Sequence, residues 1–349
     1  MASSSKSSPI TATTEAAPPL PAATSAAVGA SPTNQIATNT SKKDVFDVNL
    51  QVKSLLSGET MVTIEPPAKG MRVPVDICCV VDVSGSMGAE ATLKNAKGDT
   101  ESHGLSVLDV AKHSVQTIIQ MLGAKDRLSL VTYSTRANVA MSLREMTPAG
   151  KTKAKATVEK MHPDSSTNIW AGLMTGLNDL KGKFVGGKRR YQCILLLTDG
   201  QPNISPTGGE AYMLKQFQDS NPEMQCVVHT FGFGYNLNTA LLQEIAGVGG
   251  GSYSFIPDAS LVGTVFVNAT SNILVTQSHH AQLLLTPLNG ATFSDGKTLS
   301  GLPKGLPSKQ DPKNKGSVVV DVGAVHFGQP TQVRPSLVGI YHNFVLALH

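Results

Sequence analysis

The sequence predicts an α/β fold: a doubly wound, mostly parallel sheet with one antiparallel edge strand, joined to a small flanking β-rich module. Three observations predict it. Short runs at 77–81 and 193–197 are apolar throughout, a third at 226–231 is largely so, and all end in polar or glycine-rich turns. Runs that are apolar on both faces suit the buried central strands of a parallel sheet. Between them, apolar residues recur every three or four positions, as on the inward face of a helix. Finally, 128–133 and 139–143 read as a hairpin whose second arm alternates Val139, Met141 and Leu143 with Ala140, Ser142 and Arg144. That alternation marks an antiparallel edge strand. Strands alternating with helices over about 200 residues give the doubly wound arrangement.

Taken in order, residues 1–43 are dominated by Ser, Thr, Ala and Pro. Ordering backbone costs roughly 1–2 kcal/mol per residue, and these side chains bury too little apolar surface to offset it, so this tail is expected to be disordered. Residues 44–72 form a β-rich flank, with Val48, Leu50 and Val52 alternating and Met61 and Thr63 doing likewise. Residues 73–276 hold the α/β domain. Its helical stripes are Leu108, Ala111, Val115, Ile118, Ile119 and Leu122; then Ile169, Leu173, Leu177 and Leu180; then Val262, Val265, Phe266, Ala269 and Ile273. Residues 277–349 show apolar runs at 283–285, 317–322 and 338–348 with turn residues between them and no helical stripe. The two flanks are expected to form one β-rich module. The sequence ends inside an apolar run, either a final strand or the edge of a fragment.

Composition narrows the function. The net charge is +4, from 29 basic and 25 acidic residues, too balanced for a nucleic-acid partner. The short basic clusters at 42–43 and 188–190 read as solvated faces. Cys78, Cys79, Cys193 and Cys226 each lie in an apolar run, where a free thiol behaves as a small hydrophobe. Adjacent Cys78 and Cys79 should point to opposite faces of a strand, which suits neither a disulfide framework nor a zinc site. The N-terminus lacks the apolar core of a signal peptide and the arginines of a transit peptide. No stretch is apolar for long enough to span a bilayer. A cytoplasmic protein without membrane insertion is expected, and the sequons at Asn39 and Asn268 carry no meaning there.

Ligands bind open α/β sheets beyond the carboxyl ends of the strands. Two apolar strands end there in acidic loops, Asp82-Val83-Ser84-Gly85-Ser86 and Thr198-Asp199-Gly200. A third polar loop, Asp164-Ser165-Ser166-Thr167-Asn168, precedes the Ile169 stripe. Carboxylate, Ser and Thr oxygens are hard ligands suited to Mg²⁺, which takes about six oxygens and usually keeps several waters. A turning Asp-x-Ser-x-Ser loop aims its three oxygens to one side, and Gly85 eases the turn. Asp82, Ser84, Ser86, Thr167 and Asp199 are therefore the expected metal residues. With few anionic ligands, the metal would stay electrophilic at an open position and accept a carboxylate from outside.

With these pieces in place, residues 73–276 resemble a von Willebrand factor type A domain carrying a metal-ion-dependent adhesion site. The resemblance rests on DVSGS at 82–86, Thr167 within SSTNI, and LLLTDG at 195–200. It implies that Ser84, Ser86 and Thr167 contact Mg²⁺ (or Mn²⁺) directly, and that Asp82 and Asp199 act partly through water. The insert before GLSVLDVAKH, with TFGFGYN and SFIPD, is similar to intracellular type A proteins of protists, fungi and plants. Some of those carry a RING or U-box ligase domain, but this chain has no zinc-spaced Cys/His set and no evident U-box. Asp164-Ser165-Ser166 stands where the family commonly places a glycine ahead of the threonine.

The resulting expectation is a non-enzymatic interaction module whose metal binds an exposed Asp or Glu of a protein partner. Loops at 87–104, 203–209 and 234–238 would ring the site and supply specificity. The rivals are a metal-assisted phosphoester hydrolase, the scaffold part of a ubiquitin-ligase-type assembly whose effector domain is absent here, and a platform that works without metal. Ser, Thr and Asp are also common caps and turn formers, but three such loops in order point to ligands. Gly232-Phe233-Gly234 and Gly249-Gly250-Gly251 lack nucleotide-loop spacing and read as turns at strand ends. His103 and His162 have no catalytic partners in the sequence, Ser84 and Ser86 sit in no GxSxG elbow, Trp170 reads as a partial core or rim residue, and His279-His280 as a linker feature.

Overall fold

A computed structural model of the chain describes residues 48–54, 60–68, 72–94, 100–183, 190–257, 259–287, 292–293, 308–310, 317–333, 337–338 and 344–348. The tail expected at 1–43 lies outside them. Among the described residues the central sheet of the α/β part has six strands: β1 (Val75–Asp82), β2 (Arg127–Tyr133), β3 (Ala137–Glu145), β4 (Tyr191–Thr198), β5 (Cys226–Phe233) and β6 (Gly250–Ile256). They lie in the order β6-β5-β4-β1-β2-β3. All pair in parallel except β3, which runs antiparallel to β2 at the edge. The chain grows outward from β1 through β2 and β3, then returns to start the other half at β4. The switch point therefore falls between β1 and β4, where an open sheet offers a crevice beyond its carboxyl ends.

Among the described residues six α-helices cover the sheet: α1 (Val107–Met121), α2 (Pro148–Glu159), α3 (Ile169–Leu180), α4 (Glu210–Ser220), α5 (Thr239–Val248) and α6 (Val262–Leu274). The three expected stripes became α1, α3 and α6. Helices α2, α4 and α5 had no comparable stripe because they bury little: α4 covers only Glu210, Ala211 and Leu214. One apolar core packs α1, α2 and α6 on one face, and a second packs α3, α4 and α5 on the other. Cys79 belongs to the first core and Cys78 to the second, so the adjacent thiols do point apart. All four cysteines are free and buried. No described helix is long and apolar enough to cross a membrane.

Two expectations about the sheet and its ends need correction. Val139 is 41% exposed, because a bulge between the Val131↔Val139 and Leu130↔Met141 pairs breaks the two-residue period. Arg190, read as part of a solvated basic cluster, instead reaches inward. Its Nε donates to Asp76 Oδ1 at 2.6 Å, while Arg127 donates to both Asp76 oxygens at 2.8 and 2.6 Å. Asp76 is fully buried at the start of β1, at the opposite end of the sheet from the switch-point crevice.

The flanks meet in one β-rich unit. Strand Thr60–Glu65 pairs with Asn49–Ser54 on one side and with Thr331–Val333 on the other. A second sheet centres on Thr276–Pro287, between Val318–His326 and Phe344–Leu348, with Ser308–Gln310 outside. Val62 and Ile64 from the first sheet share a core with Leu283, Leu285 and Val320 from the second. Within the terminal apolar run Phe344–Leu348 is a strand, and His279-His280 lies within a strand rather than a linker. Phe327 N donates to Val275 O at 3.0 Å, and Arg72 pairs with Asp126, fastening this unit to the α/β part.

His229 in β5 accepts at Nδ1 from the Ser252 backbone N–H at 3.2 Å. Burial pushes its pKa down to about 4. The unfolded chain therefore takes up this proton first, so the contribution is intact above pH 6.5 and is lost as pH falls from 6.5 towards 4. Denaturant titrations across that window should show wild type losing more stability than His229→Gln. Parallel losses in the two proteins would refute the assignment to His229.

Candidate functional site

Each expected site residue sits at the carboxyl end of the sheet, beside the switch point. Asp82 is the last residue of β1 and is fully buried. Its Oδ1 accepts the Ser84 backbone N–H at 2.8 Å, which folds the DVSGS turn back on itself. Its Oδ2 accepts from Thr198 Oγ1 at 2.7 Å and from Tyr133 OH at 3.2 Å. Ser84 is buried and Ser86 exposed, with their hydroxyl oxygens 3.1 Å apart. Met87 buries itself in the core just beyond, anchoring the turn of 3₁₀ helix that carries Ser86.

The threonine loop docks against this turn. Asp164 N donates to Val83 O and Gly85 N to Ser165 O, at 2.5 and 2.8 Å. Ser165 takes a φ of +40°, the one non-glycine residue with positive φ among those described. A glycine would adopt that backbone without a Cβ penalty. Here Thr135 Oγ1 to Ser165 Oγ (3.0 Å) and Ser134 Oγ to Asp164 Oδ2 (3.1 Å) hold the loop in place. Thr167 is 2% exposed; its N–H donates to Asn203 Oδ1 at 3.0 Å, and its carbonyl accepts from Asn203 and Ile204. Asn168 then caps α3 by accepting the Ala171 N–H.

Asp199 follows β4. Its Oδ1 is buried and has no hydrogen-bond partner among the described residues. Burial pushes its carboxyl up, opposed by the Ser86 hydroxyl. Burial likewise pushes Asp82 up to about 6, against the hydrogen bonds from Ser84 and Thr198. Two carboxyls raised by desolvation, one with an orphaned oxygen, are what a cation would relieve, since it favours the charged forms of both. The donors are hydroxyls and carboxylates, the hard oxygens that Mg²⁺ takes. Among the described residues no group of three His, Cys, Asp or Glu converges, so a zinc-type centre has no ligands here.

Ser86, Thr167 and Asp199 open on one cavity of about 400 Å³, with Ser84 and Asp82 directly behind. Three expected loops contribute to its wall through Ala89–Thr92, Asn203 and 234–236. The first of these is not a loop. Residues 90–94 and 100–106 pair as a two-stranded antiparallel ribbon that leads into α1. The side chain of His103 lies outside the described residues, while His162 is exposed and outside the cavity lining. Trp170 packs partly buried on the second core.

Tyr133 and Thr198 had no role of their own in the expected site, and Asn203 had only a place in a specificity loop. The two hydroxyls orient Asp82, and Asn203 fixes the Thr167 backbone. Thr198 was visible within the TDG motif; Tyr133 and Asn203 carried no local signal, because their partners are 51 and 36 residues away. Tyr133 reaches Asp82 beside Gly172 of α3, where an added Cβ would lie 2.6 Å from the tyrosine ring. That glycine leaves room for the ring.

The chain is similar to several known proteins. The uncharacterized protein sll0103 of Synechocystis sp. is 29% identical over 212 residues, 60% of this chain and 44% of that protein. E3 ubiquitin-protein ligase WAV3 of Arabidopsis thaliana is 31% identical over 135 residues, 38% of this chain and 16% of the ligase. The chain thus spans less than half the length of these curated relatives. The solved structure of a von Willebrand factor type A protein from Catenulispora acidiphila matches with a TM-score of 0.59 at 17% identity, covering 80% of this chain and 60% of that one. At that identity the likeness concerns the fold. The sequence pattern of the von Willebrand factor type A domain matches residues 76–267, over half of the chain, and the chain belongs to that family.

Proposed function

We propose that this chain is a non-enzymatic interaction module that binds an acidic residue of a partner protein through Mg²⁺ held in a metal-ion-dependent adhesion site. The family is one of protein-interaction modules. Ser84, Ser86 and Thr167 are the direct ligands in this reading, with Asp82 and Asp199 acting through water. The observation that carries it is the buried, unpartnered Oδ1 of Asp199, on a cavity it shares with Ser86 and Thr167. The metal would supply a positive, open coordination position, and the chain's residues would orient it and wall it from solvent. We assign the activity to residues 73–276, with 1–43 as a tail and 44–72 and 277–349 as the β-rich module. The free, buried cysteines favour a reducing, cytoplasmic setting.

Calorimetric titration with Mg²⁺ or Mn²⁺ tests the site. Wild type is expected to bind, and the Ser84→Ala/Ser86→Ala double variant to lose at least about tenfold in affinity, as two direct ligands are removed. Equal binding by both proteins would sink the assignment. Similarity to WAV3 favours a second reading, in which the module recognises substrates for a ubiquitin-ligase assembly. Partners captured in a metal-dependent way should then be ubiquitinated in the cell, and lose that mark when Asp199 is replaced by Ala.

A further inference from the structure

We propose that the partner's acidic residue carries a bulky apolar neighbour, and that this neighbour fills the cavity beside the metal residues. The inference rests on the metal reading above and specifies what the site recognises.

A carboxylate bound to a metal beside Ser86, Thr167 and Asp199 would occupy only one end of the cavity. The volume of about 400 Å³ lies in the range of sites that enclose a ligand. Ala89, Ala91, Val107, Val110, Phe233 and Ile256 add apolar surface to the lining, interspersed with polar groups such as Thr92 and Gln201. Val110, Phe233 and Ile256 are at most 4% exposed and belong to the first core, so this wall is firm. Ala91 lies in the ribbon before α1 and Ala89 just ahead of it, and their small side chains leave the space open.

Charge narrows the occupant. Among the described lining residues the carboxylates are Glu90 and Asp199, and no Lys, Arg or His joins them. Beside Asp199 a phosphate dianion brings one more negative charge than a carboxylate, so a carboxylate is the less opposed ligand of the same metal, and an apolar group next to it meets the alanine and valine side chains. Burying one leucine-sized group stabilises the complex by about 1.5–3 kcal/mol, or roughly ten- to hundredfold in affinity. The occupant is therefore a protein segment with Asp or Glu adjacent to a large aliphatic residue, bound carboxylate first.

The test uses the full chain loaded with Mn²⁺ and blocked pentapeptides, Gly-Gly-Asp-Leu-Gly and Gly-Leu-Asp-Gly-Gly against Gly-Gly-Asp-Gly-Gly. By calorimetry, at least one leucine peptide is expected to bind about tenfold or more tightly than the glycine peptide. Ala91→Phe, which fills the cavity, and Val107→Ser, which makes its wall polar, should each reduce that advantage. If Mn²⁺ itself does not bind, the metal reading falls and this inference with it. If Mn²⁺ binds but leucine and glycine peptides bind equally, only the cavity assignment is overturned. Isovalerate binding as tightly as the leucine peptides would also overturn it, assigning the cavity to a free small acid.

Discussion

Replacing Asp76 by Ala is expected to cost about 3–5 kcal/mol of stability, the penalty for leaving buried charges without their partner. The side chains of Arg127 and Arg190 are only 12% and 14% exposed, and both direct guanidinium nitrogens at this one carboxylate. Arg127 also reaches Lys183 O, and Arg190 reaches Lys125 O and Val75 O. One carboxylate thus ties the starts of β1, β2 and β4 together, and its loss strands two cations at the sheet's amino end. For a domain of this size, each kcal/mol moves the melting point by about 2–4 °C, so thermal unfolding should shift down by roughly 10 °C. Asp76→Asn, which keeps the shape and one acceptor, should lose less. Because the pair lies far from the switch-point crevice, Mg²⁺ affinity of the folded Asp76→Ala protein should match wild type. Unchanged melting in Asp76→Ala would refute the structural role.

Gly251→Ala is expected to destabilise by on the order of 3 kcal/mol, at the upper end of overpacking costs. An added Cβ there would lie 2.2 Å from Val228 O and 2.7 Å from Val228 C, atoms of the neighbouring strand's backbone that no rotamer change can move. Strand β6 must then lift from β5 over its first residues, where the pairing between Gly250 and Tyr253 is already irregular. The same strand ends at Ile256, in the cavity wall, so displacement should be felt at both ends. Denaturant unfolding would read the first effect, and hydrogen exchange of the β5 and β6 amides the second. Gly263→Ala, where an added Cβ meets nothing within 4 Å, is the control expected to change stability little. Equal stability of the two alanine variants would overturn the close-approach argument.

These residues show where a sequence speaks and where it is silent. Continuous apolar runs and wide stripes were legible because burial on two faces, or on one broad face, dictates composition directly. Helix α4 was not legible, since a short helix at the rim buries two apolar residues and leaves the rest to solvent. In the site, Asp82, Ser84, Ser86, Thr167 and Asp199 carried a local pattern. Tyr133 and Asn203 did not, because their roles arise only when strands distant in sequence become neighbours. Arg190 was misread for the same reason: a basic cluster looks solvated until β1 is laid beside it and supplies Asp76. The bulge that exposes Val139 is likewise a property of the β2–β3 pairing, not of β3 alone.

The strand Thr331–Val333 adds to Thr60–Glu65, and Val62 and Ile64 complete their core with Leu283, Leu285 and Val320. Seen from the ribosome, the first hairpin emerges long before the strands that cover it. At about 5–20 residues per second, its apolar face and open edge wait on the order of tens of seconds while the α/β part is made. During that interval the α/β part has both of its own cores to fold around, whereas the hairpin has none of its partners. The early hairpin is therefore a segment that a chaperone would have to shield, since the strands that cover it are made only after the whole α/β part.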